Sequence, residues 1–163
     1  HEIPHDEALL DRILEGYKTA FNTLRRDPSH EEPMFPGALE GVRRLAARDD
    51  ILLGIATGKS RRGVDRFLRT RELEGDFATI QTADDAPSKP HPAMIEQAMA
   101  ETGVAAADTV MIGDTSFDIA MAVNAGVRGL GVAWGYHEPA ELLAAGAEAV
   151  AGSPAELGEM LHG

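Results

Sequence analysis

Hydrophobic positions along the chain change their spacing several times, and each change marks an element. Over about 6–26, Leu9, Leu10, Ile13, Leu14, Tyr17, Phe21 and Leu24 recur at helical spacing, which predicts an amphipathic helix. Asp27, Pro28 and Ser29 end it, and the polar run to Pro33 reads as a linker. A second helix is expected over about 37–48, with Leu39, Val42, Leu45 and Ala46 on one face. Residues 51–56 are nearly all apolar, as in a strand covered on both faces. Further helices are expected over about 61–71, 92–102, 115–124, 138–144 and 154–161. Strands are expected at 110–112 and 127–133, with a weaker one at 77–81 and a short edge strand at 147–150. From about residue 36 onward strands and helices alternate. That predicts an α/β fold, a three-layer parallel sheet with helices on both faces joined by right-handed crossovers.

Such sheets bind ligands beyond the carboxyl ends of their strands. Thr57, Lys89, Asp114 and the loop at Trp134 would all emerge at or near that edge. Gly113 lets the backbone turn, and Asp114 falls where the strand would end. If the next helix starts at Thr115, Asp114 is its N-cap, and Asp118 lies one turn on along the same face. Two carboxylates this close repel unless a cation sits beside them, and oxygen ligands at a strand end suit a hard ion such as magnesium. An Asp before a helix and another one turn later equally serve as a cap and a partner for the helix dipole.

Thr57 and Gly58 stand between a strand and a helix, where a hydroxyl, free amides and a helix N-terminus would seat a phosphate. A plain turn capped by Ser60 fits the same residues. Lys89 lies between prolines in Ser88-Lys89-Pro90-His91-Pro92, a stiff loop suited to delivering one ammonium, although most lysines are solvated at the surface. Arg61 and Arg62 sit where they would be either a solvated first turn or phosphate contacts. Asp84 and Asp85 fit a turn better than a metal site. His91 is a weaker candidate for substrate contact. Trp134 and Tyr136 would line an entrance or cover the sheet edge.

Composition narrows the partners. The formal net charge of -12 argues against a non-specific nucleic-acid or anionic-membrane binder, so an anionic substrate needs a local positive pocket. With no cysteine, disulfides, thiolate metal sites and a cysteine nucleophile are excluded. No apolar run is long enough to span a membrane and no signal peptide is evident, which favours the cytoplasm.

Three segments in order resemble motifs of the haloacid dehalogenase superfamily, in particular its phosphoglycolate phosphatase-like hydrolases. Ala56-Thr57-Gly58-Lys59 is similar to the second motif, Lys89-Pro90-His91-Pro92 to the third, and Gly113-Asp114-Thr115-Ser116-Phe117-Asp118 to the fourth. Asn124-Ala125-Gly126, Gly131-Val132-Ala133-Trp134-Gly135 and Gly146-Ala147-Glu148 resemble that subfamily as well. The resemblance implies a Rossmann-like core over 33–163 and a helical cap remnant with linker over 1–32. It implies that Thr57, Gly58 and Lys59 hold the transferring phosphoryl group and that Lys89 steadies nucleophile and phosphate. Asp114 would bind magnesium, and Asp118 would support the lysine or a metal-bound water. The activity implied is magnesium-dependent hydrolysis of a small phosphorylated metabolite through an aspartyl-phosphate. A phosphomutase shares that chemistry. A dehalogenase fits less well, because that branch works without magnesium.

One element of the pattern is missing. The family's first motif, a strand ending in Asp-x-Asp, supplies the nucleophile, and no Asp-x-Asp occurs in this sequence. The resemblance places that strand in mid-sheet, between the strands ending at Ala56 and Ile112. The expectation is therefore a first strand and most of a cap upstream of His1, and two exposed strand edges with an apolar cleft in this chain. A non-catalytic phosphate- or partner-binding protein is the rival reading.

Overall fold

The computed structural model describes residues 34–161. The helix expected over 6–26, and with it the cap remnant and linker at 1–32, lies outside the described residues. The chain divides into two compact units, His1–Met34 and Phe35–Gly163, and the elements below belong to the second.

In chain order these are α1 (Ala38–Ala46), β1 (Gly54–Ala56), α2 (Arg61–Thr70), β2 (Thr79–Gln81), α3 (Ala93–Thr102) and β3 (Val110–Gly113). Then come α4 (Ser116–Asn124), β4 (Arg128–Val132), α5 (Pro139–Ala144), β5 (Ala149–Ala151) and α6 (Pro154–Met160). Every strand pairing is parallel, and helices cover both sides, so the α/β reading holds.

Local chemistry fixes the helix ends. Ser60 accepts the Gly63 amide at the start of α2, and Ser153 accepts the Glu156 amide at the start of α6. Thr115, not Asp114, is the N-cap of α4, which begins at Ser116. The threonine hydroxyl accepts the Asp118 amide while Asp118 reaches back to the Thr115 amide, a reciprocal capping box. Asp114 is thereby released from capping.

The sheet is in two pieces. β1 pairs with β2, and β3, β4 and β5 pair in that order, but β1 and β3 do not pair with each other. One core still serves both pieces: Met94 and Ile95 of α3 meet Met121 and Ala122 of α4, and Ala56 of β1 and Met111 of β3 pack against the same cluster. Between β1 and β3 runs a cleft of about 960 Å3, lined by Leu53, Ile55, Ala98, Met99, Met111 and Ile112 among others. Two strand edges thus flank apolar walls, as the resemblance implies. β1 starts at Gly54 rather than at 51 because its partner is β2, whose paired residues run only from Thr79 to Gln81.

Register levels the strand ends. Gly113 of β3 pairs with Gly131 of β4, so the residues that follow each strand leave side by side. β4 can lie close under its helices because a Cβ at Gly129 would stand 3.3 Å from the Ala122 Cβ, and one at Gly131 would stand 2.9 Å from Leu142 Cδ1.

Candidate functional site

The fourth-motif segment supplies the densest geometry. Asp118 is 4% exposed. Its Oδ1 receives Lys89 Nζ at 2.5 Å, and its Oδ2 receives the Thr115 amide at 3.1 Å and the Thr115 hydroxyl at 2.7 Å. A carboxylate buried this deeply needs a compensating charge and full hydrogen bonding, and it has both. The Lys89 loop is itself tied down, because Asn124 at the end of α4 donates to the Pro90 carbonyl at 2.9 Å. The proline-bounded loop and α4, 29 residues apart at their ion pair, therefore meet in one place.

This packing requires Gly113. A Cβ there would fall 2.1 Å from the Asp118 Cβ and 2.7 Å from its Cγ. Gly113→Ala is expected to cost about 3 kcal/mol or more, since the side chain it displaces is a buried, paired carboxylate. Gly41→Ala, inside α1 with nothing within 4 Å of the new methyl, is expected to stabilise by about 0.5–1 kcal/mol. Chemical denaturation of both variants checks the contrast, and a Gly113→Ala midpoint near the parent value would refute the packing argument.

Asp114 is placed differently from Asp118. Its Oδ2 accepts the Tyr136 amide at 3.2 Å and its carbonyl accepts the His137 amide at 3.1 Å. Its Oδ1 accepts no hydrogen bond among the described residues. The two acids, which share a helical face in the sequence pattern, are thus divided: one is consumed by Lys89 and Thr115, and one keeps an open oxygen. Among the described residues no three His, Asp or Glu side chains gather as a metal site. A single hard carboxylate oxygen is still what magnesium takes from a protein when phosphate and water complete its shell, so Asp114 fits such an ion.

The second-motif turn follows β1. Thr57 donates its amide to the Gln81 carbonyl at 3.0 Å, and its Oγ1 accepts the Lys59 amide at 3.2 Å, which leaves the hydroxyl proton to give. Gly58 is exposed, with open space where a Cβ would be. No hydrogen bond or ion pair among the described residues joins Thr57 to Lys89, Asp114 or Asp118. Their relation runs through the shared core under Ala56 and Met111.

Arg61 and the Asp84–Asp85 pair form a supporting brace. The Arg61 guanidinium donates to the Ile80 carbonyl at 2.7 Å and to Asp85 at 3.1 Å, while its amide donates to Asp84 at 2.8 Å. Hydrogen bonds from Thr82, aided by the Arg61 charge, hold the Asp85 carboxyl below the usual carboxylate range. The acids serve the turn, and the Arg61 side chain is engaged in it. The exposed His91 turns its Nδ1 to the Ala93 amide at 3.2 Å. Tyr136 is 89% exposed, so it does not cover the sheet edge.

The grip of Gly135, Tyr136 and His137 on Asp114 is what sequence reasoning missed. Its contacts with Asp114 lie 21 to 23 residues away along the chain and depend on the Gly113–Gly131 register. The signal available was the Gly131-to-Gly135 resemblance, together with the loop's place at the sheet edge, which suggested an entrance and not a hold on Asp114.

Residues 2–132 match the family model described as haloacid dehalogenase-like hydrolase. The chain belongs to this family. A probable phosphatase, IndB, from Dickeya dadantii is 39% identical over 113 residues, 69% of this chain and 49% of that protein. The pyrophosphatase PpaX of Anoxybacillus flavithermus is 34% identical over 130 residues, 79% of this chain and 59% of the relative. A putative phosphoglycolate phosphatase from Lactobacillus delbrueckii superposes with TM-score 0.82 at 25% identity, over 99% of this chain and 66% of that one. A putative beta-phosphoglucomutase from Thermotoga maritima superposes with TM-score 0.70 at 26% identity, over 78% of this chain and 59% of that one. The chain thus spans about half to three fifths of the curated relatives it matches. The family's description is that of hydrolases, and relatives of this chain are named phosphatase and pyrophosphatase. Among its described residues no helix is long and apolar enough to cross a membrane.

Proposed function

We propose that the intact protein is a magnesium-dependent phosphate monoester hydrolase acting through an aspartyl-phosphate, and that this chain carries its phosphate-handling half. The observation that carries the reading is the buried Lys89–Asp118 pair set four residues from an acid with an open oxygen. The substrate is a small phosphorylated metabolite, and a cytoplasmic setting follows from where such metabolites are held. The nucleophilic aspartate belongs to a strand that fills the cleft between β1 and β3, ending level with Thr57 and Asp114. Its carboxylate attacks phosphorus and displaces the alcohol, and water then cleaves the acyl phosphate. The Thr57 hydroxyl and the amides of Gly58 and Lys59 hold the phosphoryl oxygens, and Lys89 offsets the charge that spreads over them. Asp114 would hold the magnesium, which when bound lowers the repulsion between carboxylate and phosphate. Asp118 keeps Lys89 in place.

A generic aryl phosphate tests this, assayed with and without magnesium on this chain and on a longer protein that includes the residues encoded before His1. Turnover only in the longer protein, and only with magnesium, is the expected result. Equal turnover in both would remove the need for a strand in the cleft. Phosphomutase activity is the second reading, favoured by the beta-phosphoglucomutase-like neighbour. Phosphoryl transfer within a sugar phosphate in place of inorganic phosphate release would select it. Absence of both activities from a longer protein bearing Asp-x-Asp would leave phosphate binding alone.

A further inference from the structure

The loop that leaves β4 grips Asp114 at its side chain and at its backbone. Gly135 lies so close that a Cβ there would stand 2.1 Å from the Asp114 Cβ and 2.4 Å from Oδ2. The next two amides, of Tyr136 and His137, go to Oδ2 and to the Asp114 carbonyl. The His137 side chain then returns to the same segment. Its Nδ1 accepts the Ser116 amide at 3.2 Å. Ser116 opens α4, where amides have no acceptor within the helix. Its ring also meets Phe117 edge-on, with centroids 6.1 Å apart and planes at 63°.

One residue therefore bonds the chain at two points directly after the acid's side chain: the carbonyl of 114 through its amide and the amide of 116 through its imidazole. Because Nδ1 accepts, the ring proton resides on Nε2. Neither contact involves Thr57, Gly58, Lys59 or Lys89. Both fix the backbone from which the Asp114 carboxylate projects, with Oδ2 held by Tyr136 and Oδ1 left open.

We propose that His137 is a positioning residue for Asp114, holding residues 114–116 so that the open carboxylate oxygen is set for a divalent cation. The inference rests on the reading of Asp114 as the magnesium ligand. A purely structural imidazole would fill the corner beside Phe117 and affect unfolding alone. A positioning imidazole acts on cation affinity, in the way that groups orienting a metal ligand usually do.

The test compares His137→Ala, His137→Gln and His137→Asn in the intact protein, with Asp114→Asn alongside. Magnesium binding without substrate is measured by calorimetry, and manganese binding by spin resonance. An asparagine amide oxygen reaches roughly where Nδ1 stood, whereas a glutamine amide reaches the position of Nε2. His137→Ala and His137→Gln are expected to weaken magnesium binding by about 10-fold or more. His137→Asn should restore most of it. In turnover, the loss should fall on the magnesium constant far more than on the rate at saturating magnesium. If the asparagine and glutamine variants lose affinity equally, or if none does, the positioning role is overturned while the reading of Asp114 stands on its own arm. If Asp114→Asn itself binds magnesium as the parent does, that reading fails and the inference fails with it.

Discussion

Replacing Lys89 by methionine is expected to destabilise the fold by about 3 kcal/mol and to cut turnover of the intact protein by about 10²-fold or more. The two losses have different origins. Stability falls because Asp118, with a side chain only 6% exposed, loses the ammonium 2.5 Å from its Oδ1. Breaking a buried pair by removing one partner strands the other charge, which typically costs about 3–5 kcal/mol. The lower end applies here, since Thr115 still donates twice to Oδ2. Turnover falls because, among the described residues, no other cation is ion-paired at Asp118 to meet the phosphoryl oxygens. A second variant separates the effects. In Lys89→Met with Asp118→Asn the stranded charge is gone, and the carboxamide oxygen still accepts from Thr115. Most of the lost stability should return, by urea denaturation, while turnover stays low. A double variant that regained turnover would remove Lys89 from the chemistry. A single variant that unfolded at the parent midpoint would show that the pair contributes nothing to the fold.

Much of the architecture was legible because it is periodic. The helices of the α/β core fall within a few residues of their expected ranges, and Ser60 caps α2 as its position suggests. Strand lengths were less legible. An apolar run reports burial, whereas a strand needs a hydrogen-bonded neighbour, and β2 offers one only to residues 54–56. The start of α4 was misjudged by one residue for a similar reason. Asp and Thr compete for the cap, and Asp118, three residues after Thr115, decides it by closing the reciprocal pair.

That one-residue change alters the chemistry of the site. With Asp114 as cap, both acids would have been occupied at the helix end. With Thr115 as cap, Asp118 is drawn into the capping box and toward Lys89, and Asp114 faces the loop from β4 with one oxygen open. The division of labour between two acids four residues apart is thus set by a hydroxyl. The grip of Gly135 and His137 was illegible for the opposite reason: no local pattern encodes a contact created by strand register.

Asp114→Asn in the intact protein should leave the fold almost untouched and reduce turnover by about 10²-fold or more. The amide is the same size as the carboxylate, and its oxygen still accepts the Tyr136 amide. No ion pair holds Asp114 among the described residues, so unfolding free energy should change by no more than about 0.5 kcal/mol. What disappears is one negative charge at the single oxygen left open. The consequences are a weaker magnesium constant and a rate that recovers only in part as magnesium is raised, because affinity can be supplied by concentration but the missing charge cannot. This profile is the reverse of that for Lys89→Met, where stability and rate fall together. Thermal unfolding and magnesium-dependent turnover, measured on both variants, distinguish a residue that holds a cation from one that is itself the cation of a buried pair. Parent-like turnover in Asp114→Asn would end the assignment of that oxygen to the metal.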